Sequence, residues 1–505
     1  ALALPMALLL VTLLLASIFA PSDNAHAFKV TARWFAGMMV CWMTIAAVCS
    51  GLNQQWLMRA VVCGGALVAL LTVAEYGWSD QALVGSALAA FRDTPDFRVG
   101  GELRPSATLA YPTITALYLE FAFVFAVGWL VQTTTQRRRW PTVALAVTLL
   151  LIGTALVLTL TRSALVAVAS AFLLVVAVRW PRARADGFAR VAVLAVGVLG
   201  ASVLVAALLN PLLSLRLSSA NDRDWYVAAY TAPPLPPLRA GETITVAVTV
   251  RNIGQRLWEA RGPHPTYLNH HWLSADGQTL IAADRNHTPI AHDVAPGESI
   301  VVPTQVFVLD TPGDYILAWD LLRADLFWFS VLGAPMGETR VTVLPGVAAA
   351  PASPPANSPA PNVLADLNAD RATLWRAALL MLAAHPLLGV GPGNYRLVLG
   401  QYLNLPQWDT RLHANNMYLE LFADAGLLGG VAFLLLVIAI VRAGWRTVRV
   451  AARDEGIAGA TLAAALAAFL LHGVTDYFLE FTPIYVLFWL TVGLILAGET
   501  RFAQV

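Results

Sequence analysis

The segment richest in chemistry-bearing residues is Arg411-Leu412-His413-Ala414-Asn415-Asn416-Met417-Tyr418-Leu419-Glu420. Read as a helix, it brings His413, Asn416, Glu420 and Asp424 within about 60° of one another on the 3.6-residue repeat, which makes one polar stripe. A helix starting near His413 would turn the positive end of its dipole toward the ring. That would disfavour the imidazolium and leave a neutral ring able to accept a proton. A lone histidine is more often structural, but Arg411 and Arg396 beside it make His413 the candidate base. Asn416, Arg411 and Glu420 are the candidates for positioning the ring or the group it acts on.

Three further segments carry charge beside apolar sequence. Arg162 stands between two long apolar runs, and a charge at a transmembrane helix centre costs roughly 2.5–3.5 kcal/mol. Its place is therefore the end of a span, either as a snorkelling anchor or as a cation that meets an anionic head group. Arg104, in Glu102-Leu103-Arg104-Pro105-Ser106, is an ordinary loop arginine except that it falls on the same side as Arg162. The third segment runs from Asp370-Arg371 through Gly389-Val390-Gly391-Pro392-Gly393-Asn394-Tyr395-Arg396. Leu374, Ala378 and Leu382 recur at helical spacing, and Pro386 with Gly389 ends that helix. Gly389, Gly391 and Gly393 let backbone approach a ligand closely and could turn N–H groups to phosphate. An irregular turn is the other reading. The loop lacks the Lys-Ser/Thr ending and preceding strand of a nucleotide-phosphate loop.

The elements that must position these residues follow from composition. The chain has 505 residues, 58% hydrophobic and 12% charged, more apolar side chain than a soluble fold of this length buries. Apolar runs near 3–20, 34–50, 57–75, 112–132, 141–160, 163–178, 190–209, 428–443, 457–474 and 484–499 predict about ten transmembrane helices, at roughly 20 residues per span. Arginine clusters at Arg137, Arg138 and Arg139, at Arg179, Arg182, Arg184 and Arg190, and at Arg442, Arg446, Arg449 and Arg453 mark cytoplasmic loops by the positive-inside rule. Residues 76–111, 210–427 and 475–483 then face the opposite side, where all four segments lie. A net charge of +1 gives no case for nucleic acid. Cys41, Cys49 and Cys63 fall in or beside apolar runs and form no disulfide framework. The chain starts at Ala1, so N-terminal helices could be missing. A cleaved signal peptide is the weaker reading, since no basic n-region is present.

Two proline-rich stretches, Pro233 to Pro237 and Pro351 to Pro361, bracket a segment of strand periodicity. Ile244, Val246, Val248 and Val250 alternate with Thr245, Ala247 and Thr249, and 300–308, 315–321 and 339–344 read likewise. The predicted organisation is transmembrane helices over 1–211, an outer loop start and linker over 212–238, a β-sandwich over 239–345, a linker over 346–362, a membrane-proximal catalytic loop over 363–427 and transmembrane helices over 428–505. The insert resembles immunoglobulin-like modules of bacterial surface proteins through Val248-Thr249-Val250-Arg251-Asn252, Trp258, Pro296-Gly297-Glu298, Gly313-Asp314-Tyr315 and Trp319-Asp320. It also holds His264, His270, His271, His287 and His292. Adjacent strand residues point to opposite faces and no metal-ligand spacing occurs, so no metal site is expected.

Outside the insert the chain resembles the O-antigen ligase and polymerase family of bacterial membrane glycosyltransferases. Four pieces carry the likeness in order: Arg104 before a Pro-containing span start, Thr161-Arg162-Ser163-Ala164-Leu165, the Arg371 to Trp375 helix with Gly389-Val390-Gly391-Pro392-Gly393-Asn394-Tyr395, and His413-Ala414-Asn415-Asn416-Met417-Tyr418-Leu419 with Gly426-Leu427-Leu428-Gly429. The insert departs from the usual pattern by lengthening the outer loop.

The resemblance implies a GT-C-like helical fold in the bacterial cytoplasmic membrane with its large loop extracytoplasmic. It also implies an inverting transfer, independent of metal or other cofactor, of a glycan from a polyprenyl-diphosphate donor to a hydroxyl of a glycan, lipid or protein acceptor. On that reading Arg162 and Arg104, with Arg371 and Arg396 behind them, bind the donor diphosphate, and His413 takes the acceptor proton. Ligase and polymerase remain alternatives within the family. A polysaccharide or lipid transporter or flippase is the alternative from another class. It would call for broken helices, repeats or midplane charges, and no convincing repeat is present.

Overall fold

The computed structural model describes residues 2–78, 87–88, 90–92, 97–99, 102–178, 188–209, 215, 224–262, 264–283, 287–324, 326–346, 371–405, 408–450 and 453–503. The expected exit linker and Arg179, Arg182 and Arg184 lie outside the described residues. The chain divides into a helical unit, Ala1–Phe97, Leu103–Leu213 and Asn368–Val505, and a β-rich unit, Ser214–Leu367 with Arg98–Glu102.

In the helical unit each of the apolar runs is a helix: α1 (Ala3–Ile18), α2 (Asn24–Cys49), α3 (Gln54–Gly77), α4 (Pro112–Thr135), α5 (Arg139–Leu158), α6 (Arg162–Val178), α7 (Phe188–Leu209), α10 (Met417–Val450), α11 (Arg453–His472) and α12 (Thr482–Ala503), with α8 (Arg371–Ala384) and α9 (Tyr395–Leu403) between them in sequence. Six of these, α2, α3, α4, α5, α10 and α12, are long and apolar enough to cross a membrane. Helices α1, α6, α7 and α11 contribute shorter apolar stretches. This is consistent with a multi-pass membrane protein.

Helix α4 is buried on all sides, with 83% of its most apolar window inside the protein, as a helix apolar all round must be if it is central rather than peripheral. Helices α3, α5 and α11 pack on it. Small residues let backbones approach, as is usual between helices in lipid. A Cβ at Gly128 of α4 would lie 2.2 Å from Thr461 Oγ1 of α11.

Beyond the pair of β1 (Phe97–Val99) with β2 (Glu102–Arg104), the described residues hold two sheets, both in the β-rich unit. In one, β4 (Leu238–Arg239), β12 (Gly337–Leu344), β10 (Gly313–Arg323), β6 (Thr266–Ser274) and β7 (Leu280–Ala283) lie in that order, with β11 (Phe327–Trp328) on β10 and β8 (Thr288–Pro289) on β6. The other is β3 (Ala228–Thr231), β5 (Thr243–Asn252) and β9 (Ser299–Phe307). All pairings in these two sheets are antiparallel except β4 with β12. The expected alternation holds: Val246, Val248 and Val250 of β5 and Ile300, Val302 and Val306 of β9 are buried. Trp272 of β6 donates from Nε1 to Phe307 O of β9 at 3.1 Å, tying one sheet to the other. The adjacent His270 and His271 diverge, the first ring packing on Trp319 and the second on Trp328.

Candidate active site

Every residue of this site belongs to the helical unit. Its frame is a break in α10 at Gly426, whose φ of 65° and ψ of −168° are not helical. A break leaves carbonyls and N–H groups unpaired inside the protein, and buried backbone groups need partners. The glycine-rich loop supplies them. Leu427 and Leu428 donate N–H to the carbonyls of Pro386 and Leu387 at 2.8 and 3.2 Å, while Val390 and Gly391 donate to those of Ala423 and Asp424 at 2.9 and 2.8 Å.

The approach is close enough to require glycine. A Cβ at Gly389, at φ 68°, would sit 2.4 Å from Ala423 O. The Asp424 carboxylate takes two more N–H groups, from Gly393 at 2.8 Å and Tyr395 at 2.9 Å. The N–H groups of Gly389, Gly391 and Gly393 are thus spent on His385 O, Asp424 O and the Asp424 side chain. This corrects the expectation that they face a phosphate: the loop instead serves to repair the broken helix.

That repair fixes the segment before α10. The helix starts at Met417, not at His413. Asn415 adopts a left-handed conformation at φ 48°, and Asn416 caps the helix, its Oδ1 accepting from the N–H groups of Tyr418 and Leu419 at 3.1 and 3.0 Å. Glu420, 1% exposed, reaches back one turn. Its Oε1 lies 2.6 Å from His413 Nδ1 and its Oε2 accepts from Ala414 N–H at 2.8 Å.

The other ring nitrogen of His413, Nε2, is 2.7 Å from Oε2 of Glu480, and the Tyr477 ring stacks on the imidazole at 4.6 Å. Burial by itself would push the His413 pKa down. The charge and hydrogen bond of Glu420, joined by those of Glu480, outweigh it and raise the pKa from 6.5 to about 10. Two carboxylates against the ring thus favour its charged form. This corrects the neutral ring expected from a helix dipole, because no helix begins at His413 and two carboxylates outweigh a partial charge.

Glu480 is 41% exposed and also pairs with Arg396 at 3.1 Å. Burial would raise its pKa, but the His413 hydrogen bond and the charges of His413, Arg396 and His26 hold it below the usual carboxylate value. A small cleft opens here, lined by His26, Arg33, Gly393, Arg396, His413 and Glu480 with aromatic walls. Arg33 donates to Leu479 O and Thr482 Oγ1 at 3.4 and 3.2 Å, with its guanidinium over the Tyr485 ring. Arg411 forms an ion pair with Asp409 at 2.7 Å.

Of the remaining expected residues, Arg162 and Arg104 meet at the start of α6. Arg162 is its first residue. Arg104, in the short strand Glu102–Arg104, donates to Thr159 O at 3.0 Å and Thr161 Oγ1 at 3.3 Å, and so holds the turn in which Leu160 takes φ 54°. Behind it, the buried Glu75 accepts from Arg92 and from the N–H groups of Ser106 and Ala107 at 2.6, 3.0 and 2.6 Å. Arg371 begins α8.

The structure joins His413, Glu420 and Arg396 in one cluster and Arg104 with the Arg162 turn in another. The two meet through α11, where Met417 N–H donates to Gly473 O at 2.8 Å. Glu480, Arg33 and His26 were missed from sequence. A signal for Glu480 existed, since the loop 475–483 was already assigned to the same side as His413.

A search of curated proteins finds no match to this chain. The stretch that holds Arg371, the glycine-rich loop, Arg396, His413 and the broken helix, residues 353–434, matches the family model described as O-antigen ligase, which supports the O-antigen ligase/polymerase family for this chain.

Proposed function

We propose that the protein is a membrane glycosyltransferase of the ligase type, moving a glycan from a polyprenyl-diphosphate donor to an acceptor hydroxyl on the extracytoplasmic face. The observation that carries this reading is His413, held through Nδ1 by a buried carboxylate and open at Nε2 to a half-exposed one, inside the segment that matches O-antigen ligases. An acceptor hydroxyl that displaces Glu480 from Nε2 removes one of the two carboxylates holding the ring charged. With that carboxylate displaced, the ring holds its Nε2 proton less tightly and releases it to solvent, leaving a ring whose Nδ1–H still points at Glu420. Nε2 then accepts the hydroxyl proton as the acceptor oxygen bonds to the anomeric carbon and the bond from that carbon to the diphosphate oxygen breaks. The lipid diphosphate leaves as an anion. Glu420 stabilises the imidazolium that forms, and a single displacement inverts the anomeric centre.

Arg162 and Arg371, with Arg104 holding the turn, are the proposed diphosphate ligands. Guanidinium groups bind phosphate in a planar, bidentate manner that suits a metal-independent transfer. Arg396 is assigned to Glu480 and the acceptor side. The β-rich unit is read as an immunoglobulin-like insert that holds an acceptor glycan. Polymerase activity, with a second lipid-linked glycan as acceptor, is the alternative.

The test is transfer in proteoliposomes with a polyprenyl-diphosphate glycan, a panel of acceptors and EDTA. Wild type forms product, and His413→Ala and Arg162→Ala lose it. The acceptor used separates ligase from polymerase. Movement of the lipid without any glycosidic product would replace this reading with a transporter.

A further inference from the structure

Among the buried groups that the proposed chemistry leaves unused, one connected set stands out. Glu120 of α4 and His472 at the end of α11 are each 1% exposed. His472 Nδ1 lies 2.6 Å from Glu120 Oε1, and its Nε2 lies 2.9 Å from Ser163 Oγ on α6. With Nδ1–H donated to the carboxylate, Nε2 is left to accept the serine hydroxyl. An ionisable residue within a membrane-length helix is costly and marks function more often than packing. Three helices spend one carboxylate and one imidazole on orienting a single hydroxyl.

That hydroxyl belongs to the residue directly after Arg162, and Arg104 holds the turn before it from the other side. The same end of α11 also braces the catalytic segment. Gly473 O accepts from Met417 N–H, and Leu470 O accepts from the Tyr418 hydroxyl, both at 2.8 Å.

We propose that Glu120, His472 and Ser163 are positioning residues that hold Arg162 against the donor diphosphate and set its place relative to His413. This rests on the reading of Arg162 as a diphosphate ligand. The test is binding of undecaprenyl diphosphate to the full chain in nanodiscs. Ser163→Ala weakens binding about tenfold, as loss of one orienting hydrogen bond would, while Ser163→Thr, which keeps the hydroxyl, stays within about twofold. His472→Gln weakens binding to the same degree, and the double variant is no worse than either single one, since all three act as one chain. Thermal midpoints of the same samples separate lost folding from lost positioning.

Wild-type affinity in folded Ser163→Ala, with Arg162→Ala impaired, overturns the positioning chain and leaves the diphosphate reading standing. Wild-type affinity in Arg162→Ala overturns both. Threonine as harmful as alanine at 163, or additive losses in the double variant, also sinks the proposal.

Discussion

At the residue scale the decisive feature is the unequal pair of carboxylates on His413. Glu420 is buried and tied to backbone, whereas Glu480 is half-exposed and shared with Arg396. A buried, fixed carboxylate suits orientation of a ring, and an exposed one suits exchange with a substrate. Glu420→Gln is therefore expected to lower kcat about 100-fold, within the 10²–10⁴ range of general base catalysis, while Glu480→Gln changes it less than about tenfold. Steady-state kinetics with saturating acceptor separates the two, and the reverse order would make Glu480 the base.

The same geometry sets a pH dependence of stability. A pKa raised from 6.5 to about 10 in the folded protein contributes stability that is full below about 6.5 and is lost as pH rises through about 10. The thermal midpoint in detergent should fall between pH 8 and 10.5. In His413→Gln that fall should flatten, and an unchanged slope would show that the ring is not charged in the folded state.

At the scale of elements, the broken helix and the glycine loop form one object. Neither satisfies its own backbone groups, and each supplies what the other lacks. Gly389→Ala and Gly426→Ala each place a Cβ within 2.4 Å of backbone atoms at positive φ. Each should cost more than about 1–3 kcal/mol, since strain adds to displacement of the loop. Asp424→Asn replaces a side chain whose two oxygens each take an N–H group with one offering a single acceptor oxygen, a loss of about 1–3 kcal/mol. Thermal unfolding of the purified variants reads both. Should Gly389→Ala keep the wild-type midpoint, the loop does not depend on this close approach.

At the scale of the whole molecule, the two units have separate cores. That of the β-rich unit is built on Trp225, Trp258, Trp272 and Trp319, all nearly inaccessible. The segment Ser214–Leu367 expressed alone should fold and unfold cooperatively, and Trp319→Ala should destabilise it by about 3–5 kcal/mol. A non-cooperative melt of the isolated segment would mean that its core is incomplete without the rest of the chain.

What was legible in the sequence was whatever depends on neighbours along the chain. Runs of about 20 apolar residues became helices because every backbone polar group in lipid must be paired locally, and the alternation at 244–250 became β5 because pleating has a period of two. The motifs around Arg162, Arg371 and His413 were likewise local. Tertiary structure alone decided the chemistry of each. His413 looked neutral from its own segment, yet its pKa is raised because Glu420 folds back onto Nδ1 and Glu480, from the loop between the last two helices, reaches the other nitrogen. The glycines looked like a phosphate cradle and instead pair with a helix break 30-odd residues on, as the bonds to Ala423 and Asp424 record. Protonation states and free donors depend on which distant groups folding brings within about 3 Å, and no local pattern encodes that.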